Sequence, residues 1–303
     1  MKYILGSGLA GLIFKFYHPE YQIISSDKVI GGQVTQGNSV PYILLIHDTP
    51  ETRQLMVDLK IPLKFKRIDI RYYYNGEMLD TVAGKIRQKF IQTKMTEYNY
   101  DCNSVDIADT KLSVDDNFID IIDVDIREVI RKLTPESYIT ARVKLVNNNR
   151  QFMLLDHGKG KVEVVYYDRV ISTIPANMFF PMMYNFKHSY QFTYLPVTYI
   201  IVDELPYWAD PETMYYVYNP ELPYNRFAKV ADGLWSYAIT GLPTIEEIKE
   251  HFINHVSIER RYTGVIRSEE VGDLRNIKFL GRFAQWQHHI KIQNVISKAK
   301  SLK

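Results

Sequence analysis

The chain has 303 residues, 46% hydrophobic and 24% charged, with 37 Lys+Arg against 35 Asp+Glu. This is enough chain for one large domain or two intertwined ones, and the composition excludes disordered and collagen-like classes. A net charge of +2 gives no general attraction to nucleic acid or membrane, and the single cysteine, Cys102, allows neither an internal disulfide nor a multi-thiolate metal site. No run of about 18 apolar residues offers a membrane span. The cytoplasm is the expected compartment. The 23 tyrosines, 14 phenylalanines and 3 tryptophans suit a large ligand pocket and equally an ordinary core.

Along the chain, Lys2–Leu5 reads as a strand, Gly6–Gly8 as a turn and Leu9–Tyr17 as a helix that His18-Pro19 stops. A second strand follows at Tyr21–Ser25. Helical periodicity marks Thr52–Leu59, Val82–Phe90 and Asp125–Leu133. From Tyr138 the texture turns to strands: Ile139–Val146, Phe152–Leu155 and Val162–Tyr167 form a meander with turns at Asn147-Asn148-Asn149 and His157-Gly158-Lys159-Gly160. Val170–Thr173 is a short buried strand. Tyr194–Val202, Met214–Tyr218, Phe227–Ala231 and Trp235–Thr240 are further strands. Thr244 begins a helix, with Glu247 completing a capping box. Strand Ile277–Leu280 leads through Gly281-Arg282 into a helix that runs to about Lys300.

Gly6-Ser7-Gly8-Leu9-Ala10-Gly11 fits G-x-G-x-x-G between a strand and a helix, the context in which that pattern binds a dinucleotide. The first glycine makes the turn, the second admits a pyrophosphate, and the third lets helix and strand pack closely. The helix N-terminus then offers free N–H groups and partial positive charge to the phosphates. An acid is expected at the end of the second strand to hold the adenosine ribose. Here Ser25 takes that place, followed by Ser26 and Asp27. A second glycine pair, Gly31-Gly32-Gln33, comes directly afterwards.

That glycine pair resembles the flavoproteins of the amine oxidase and UDP-galactopyranose mutase superfamily, which includes compact members, some of them viral. Tyr167-Asp168-Arg169-Val170-Ile171-Ser172-Thr173-Ile174-Pro175 looks like the strand by which that superfamily returns to its FAD domain. Gly281-Arg282-Phe283-Ala284-Gln285-Trp286 is similar to its C-terminal flavin motif. Tyr216–Arg226, aromatic and proline-rich, resembles the mutase stretch whose arginine binds the substrate diphosphate. The resemblance implies an α/β fold: a Rossmann-like FAD-binding domain, discontinuous over 1–50, 137–180 and 265–303, with an inserted α+β substrate domain over 51–136 and 181–264.

The resemblance also implies a cofactor site for FAD at Gly6, Gly8, Leu9, Ala10, Gly11, Ser25, Ser26, Asp27, Gly31, Gly32, Gln33, Val143, Thr173, Gly281 and Arg282. Val143 would meet adenine through its backbone. His47, in the region of the family's histidine-bearing loop but at different spacing, would lie over the flavin, where an imidazole can hydrogen-bond or relay a proton. Arg226, Trp286 and His288 complete the candidate catalytic set. His288 and His289 point about 100° apart on a helix, so one of them can face a pocket, and no further ligands at metal spacing accompany them. No Ser-His-Asp order, Walker loop or HExxH is present. The implied activity is oxidation of a C–N bond in an amine or amino-acid-like substrate, one form of which is an amino-acid adduct on a modified thymine in DNA. The alternative is a mutase-like isomerase acting on a nucleotide sugar.

Overall fold

The computed structural model describes residues 1–26, 30–32, 45–79, 117–192, 194–219, 221–252, 255–265, 271–287 and 289–302. The helix expected at Val82–Phe90 lies outside them. In chain order the elements are β1 (Lys2–Leu5), α1 (Leu9–Tyr17), β2 (Gln22–Ser25), α2 (Pro50–Asp58), β3 (Phe65–Tyr74), β4 (Glu77–Leu79), β5 (Phe118–Ile122) and α3 (Ile126–Leu133). Then come β6 (Ile139–Thr140), β7 (Arg142–Asn147), β8 (Phe152–Asp156), β9 (Val162–Tyr166), β10 (Arg169–Ser172), α4 (Ala176–Phe179), β11 (Tyr194–Val202), β12 (Met214–Val217), β13 (Arg226–Ala231) and β14 (Leu234–Thr240). The chain ends with α5 (Ile245–His251), β15 (His255–Val265), β16 (Ile277–Phe279), α6 (Arg282–Gln285) and α7 (Ile292–Ser301).

A five-stranded parallel sheet in the order β16-β10-β1-β2-β6 carries the N-terminal motif. Tyr3, Ile4, Leu5, Ile23, Ile24, Val170 and Ile171 are apolar and buried because both faces of the sheet are covered. Ile4, Ile23 and Ile171 point into a core with α1, α2, α3 and α7, while Leu5, Ile24 and Val170 point into a second core with the antiparallel meander β7-β8-β9. This is the α/β architecture that the glycine motif implied. Leu55 and Met56 of α2, and Val129 and Ile130 of α3, pack in the first of these cores.

A larger sheet follows the order β15-β11-β14-β13-β12-β3-β4, with β5 added along β3. One face is packed by Tyr215, Val217, Phe227 and Tyr237 against Ile248 of α5 and the neighbouring Phe252. Stacked rings join Tyr73 to Trp208 and Tyr215 to Phe227. Much of the tyrosine content is therefore spent on sheet packing.

Two expectations are corrected here. Ile139–Val146 is two strands, because β6 pairs with β2 in the parallel sheet while β7 turns away to pair with β8. The C-terminal helix is broken: Trp286 adopts a left-handed conformation at φ 51°, which ends α6, and α7 begins only at Ile292. None of the described helices is long and apolar enough to cross a membrane.

Candidate functional site

The glycine loop sits at the C-terminal end of β1, where ligands bind in open parallel sheets. Gly6 turns the chain at φ +100°, a conformation that favours glycine, and a Cβ there would lie 2.6 Å from Thr173 Oγ1. That hydroxyl donates to the Leu5 carbonyl at 2.9 Å, so Thr173, at the end of β10, braces the turn. A Cβ on Gly11 would fall 2.3 Å from the Gly6 carbonyl, so α1 can approach β1 only with glycine there.

Gly8 differs from both. Its φ of −68° and ψ of 171° are open to any residue, and a Cβ would meet nothing within 4 Å among the described residues. The described residues make no steric demand for glycine at this position. Gly8 is the N-cap residue of α1, next to the free N–H groups of the helix's first turn.

Two other segments close on this loop. Gly31 forms a parallel bridge with Gly8, and its N–H donates to the Ser7 carbonyl at 2.9 Å. Gly32, at φ +60°, approaches so closely that a Cβ would lie 3.0 Å from Gly8 Cα. From the C-terminal segment, a Cβ on Gly281 would lie 3.0 Å from the Ala10 side chain. The structure therefore gathers Gly6, Gly8, Ala10, Gly11, Gly31, Gly32, Thr173 and Gly281 at one place. Leu9 lies beside them at the start of α1, and Arg282 opens α6 directly after Gly281.

Ser25 is 5% exposed, and its hydroxyl lies 2.8 Å from that of Ser7, itself 3% exposed. Ser26 is exposed just beyond the strand. Val143 stands apart in the meander, paired with Leu155, its side chain in the second core. Trp286 is 1% exposed in that same core, edge-on to Phe192 at 4.9 Å. Asp27, Gln33 and His288 lie outside the described residues.

His47 and Arg226 come from distant elements but share a sheet face. His47 pairs with Ile121, and Ile121 with Lys66, on the same side of β3 as Tyr72. Tyr72 pairs with Tyr216, Tyr216 with Arg226, and Arg226 with Ala238, whose other partner is Tyr199. The Arg226 guanidinium donates to the Tyr199 hydroxyl at 3.3 Å. Tyr72, Tyr216 and Tyr218 lie with their rings within 20° of parallel on this face. Leu45 packs against it too, while Ile46 belongs to the core under the glycine loop, so residues 45–47 run from one region to the other. Burial, and then the charge of Lys291 at the start of α7, hold His47 below the usual imidazole range. The ring is therefore neutral near pH 7 and able to accept a hydrogen bond. Thr52 Oγ1 fixes the loop by donating to the His47 carbonyl at 2.6 Å.

Ser7, Tyr199 and Lys291 are the residues that sequence reasoning passed over. Ser7 occupies an unconstrained position of the glycine motif, and the other two matter only through cross-strand register and helix placement.

No protein-family model matches the chain, and no curated protein matches it. Solved structures do. Reduced UDP-galactopyranose mutase aligns with 98% of this chain and 92% of its own at a TM-score of 0.64 and 12% identity. Cyclohexylamine oxidase from Brevibacterium oxydans IH-35A aligns over 99% and 96%, with a TM-score of 0.67 and 9% identity. This chain has their fold. A CLA-producing fatty acid isomerase from P. acnes shares it as well, with a TM-score of 0.65 and 12% identity over 99% of this chain and 97% of that one. At such identities the likeness is one of architecture, and it bears out the resemblance read from the motifs at that level.

Proposed function

We propose that the protein is an FAD-dependent oxidoreductase that removes a hydride from a C–N bond of an amine or amino-acid-like substrate. The observation that carries the reading is Gly8: a glycine at a helix N-terminus that packing among the described residues does not require, in the position where the motif admits a pyrophosphate. Ser7–Gly11, Gly31, Gly32, Gly281 and Arg282 would hold the dinucleotide, with α1 turned toward its phosphates. FAD, when bound, supplies the hydride acceptor. Arg226 would orient an anionic group of the substrate, and the neutral His47 would accept a proton or a hydrogen bond on the same sheet face. We place the dinucleotide unit at 1–50, 137–180 and 265–303 and the substrate unit at 51–136 and 181–264. Helices α2 and α3, which fall within 51–136 apart from Pro50, pack with β1, α1 and α7 in the first core.

A mutase-like isomerase is the second reading. It is favoured by the Arg226 guanidinium beside Tyr199 and Tyr216, an arrangement suited to the diphosphate of a nucleotide sugar. The visible spectrum of the purified protein tests the cofactor, since a colourless protein that cannot be reconstituted with FAD would defeat both readings. Anaerobic bleaching of the flavin by an amine supports the oxidoreductase. Sugar isomerisation only after dithionite reduction supports the mutase instead. An amino-acid adduct carried on a thymine in DNA is the macromolecular form of the first substrate class, and steeply salt-dependent turnover would identify it.

A further inference from the structure

The end of β2 is where a dinucleotide fold places a carboxylate to accept hydrogen bonds from the adenosine ribose. Ser25 ends β2 here, and its hydroxyl is turned inward onto Ser7 at 2.8 Å, both residues being buried. Ser7 lies between the two leading glycines of the loop. Its carbonyl receives the Gly31 N–H at 2.9 Å, and the neighbouring Gly6 N–H donates to Ile24 at 2.9 Å. Ser7 thus joins three parts of the site: the end of β2, the phosphate loop and the second glycine pair. Gly8, with its open side, follows directly.

We propose that Ser7 and Ser25 form a positioning pair, through which the end of β2 acts on the dinucleotide by fixing the phosphate loop instead of gripping the ribose. This rests on the FAD reading above. The pair is uncharged, one hydroxyl donating to the other, so it can be buried without an ionic partner. A carboxylate in the same inward position would bury a charge.

A double-mutant cycle on FAD binding, read by flavin fluorescence, tests the pair. Ser7→Ala and Ser25→Ala should each weaken FAD by about fivefold, and the double variant should be no weaker than either single one. Losses that multiply, or a loss confined to Ser25→Ala, would overturn the proposal, because they would mean that Ser25 acts independently of Ser7. A second readout is competition by ADP and by 2′-deoxy-ADP. If Ser25 does not touch the ribose, Ser25→Ala leaves the ratio of their affinities at its wild-type value, and a changed ratio overturns the proposal. Should the alanine variants fail to fold, Ser25→Cys keeps the volume, gives up most of the hydrogen bond and carries the same two readouts. A wild-type protein that binds no FAD would overturn the functional reading and this inference together. A wild type that binds FAD through uncoupled serines would overturn this inference alone.

Discussion

At the scale of single residues, the three glycines of the first motif play unlike parts. Gly11 is demanded by packing, since a Cβ would sit 2.3 Å from the Gly6 carbonyl, whereas one on Gly8 meets none of the described residues. Gly11→Ala should therefore destabilise the protein by roughly 1–3 kcal/mol, seen as a lower urea midpoint with or without cofactor. Gly8→Ala should cost the cofactor-free protein no more than about 1 kcal/mol, the difference between glycine and alanine at an N-cap, and weaken FAD at least tenfold. If Gly8→Ala instead lost more stability than this and kept its flavin, the cradle assignment would fail. The glycine pattern could be read from sequence because its steric demands are local. The Ser7–Ser25 contact could not, because it depends on how β2 registers against β1.

His47 adds a prediction about pH. Its folded value is depressed, first by burial and then by Lys291, so the unfolded chain takes up the proton more readily. Its contribution is complete above the unfolded value of about 6.5 and is lost as pH falls below that toward the folded value. Urea midpoints at pH 7.5 and pH 5.5 should drop more for wild type than for His47→Gln. Parallel losses in the two proteins would remove the argument.

At the scale of elements, legibility followed the range of the forces involved. Helix Leu9–Tyr17 was visible because His18-Pro19 ends it locally. The Thr244–Glu247 capping box was visible because its hydrogen bonds span only three residues. Phe65–Tyr74 and His255–Val265 did not stand out. Both are rich in charge, and most of their length pairs with strands far away in the chain: β12 and β5 for the first, β11 for the second. The C-terminal helix failed for a related reason. Nothing local forbids helix at Trp286, yet its indole is drawn into the core beside Phe192, and the backbone accepts φ 51° to deliver it. Burial of so large a side chain outweighs the cost of about 1–3 kcal/mol for a left-handed non-glycine residue. Trp286→Ala should accordingly destabilise by about 3–5 kcal/mol, measured by chemical denaturation. A loss under about 1 kcal/mol would mean that the ring does not drive the break in the helix.

At the scale of the whole molecule, the chain passes between the parallel sheet and the larger sheet four times, at β2–β3, β5–β6, β10–β11 and β15–β16. Neither sheet is built from one continuous stretch, so neither can be completed without the other's strands being threaded through it. Residues 45–47 add a direct link, with Ile46 in the core beneath the glycine loop and Leu45 on the tyrosine face of the larger sheet. Units joined in this way should unfold together, in contrast to domains linked once in series. The tryptophans allow the test, because Trp286 lies in the core of the parallel sheet while Trp208 and Trp235 pack on the larger one. In a Trp208→Phe/Trp235→Phe variant, Trp286 emission reports the first region alone, and far-ultraviolet circular dichroism reports the whole chain. The two signals should melt at one midpoint. FAD at a hundred times its dissociation constant should raise that midpoint by roughly 5 °C, because ligand binding to one region stabilises everything that unfolds with it. Separate midpoints, with FAD moving only the tryptophan signal, would show that the crossings do not couple the sheets and that the substrate face can open while the cofactor stays bound.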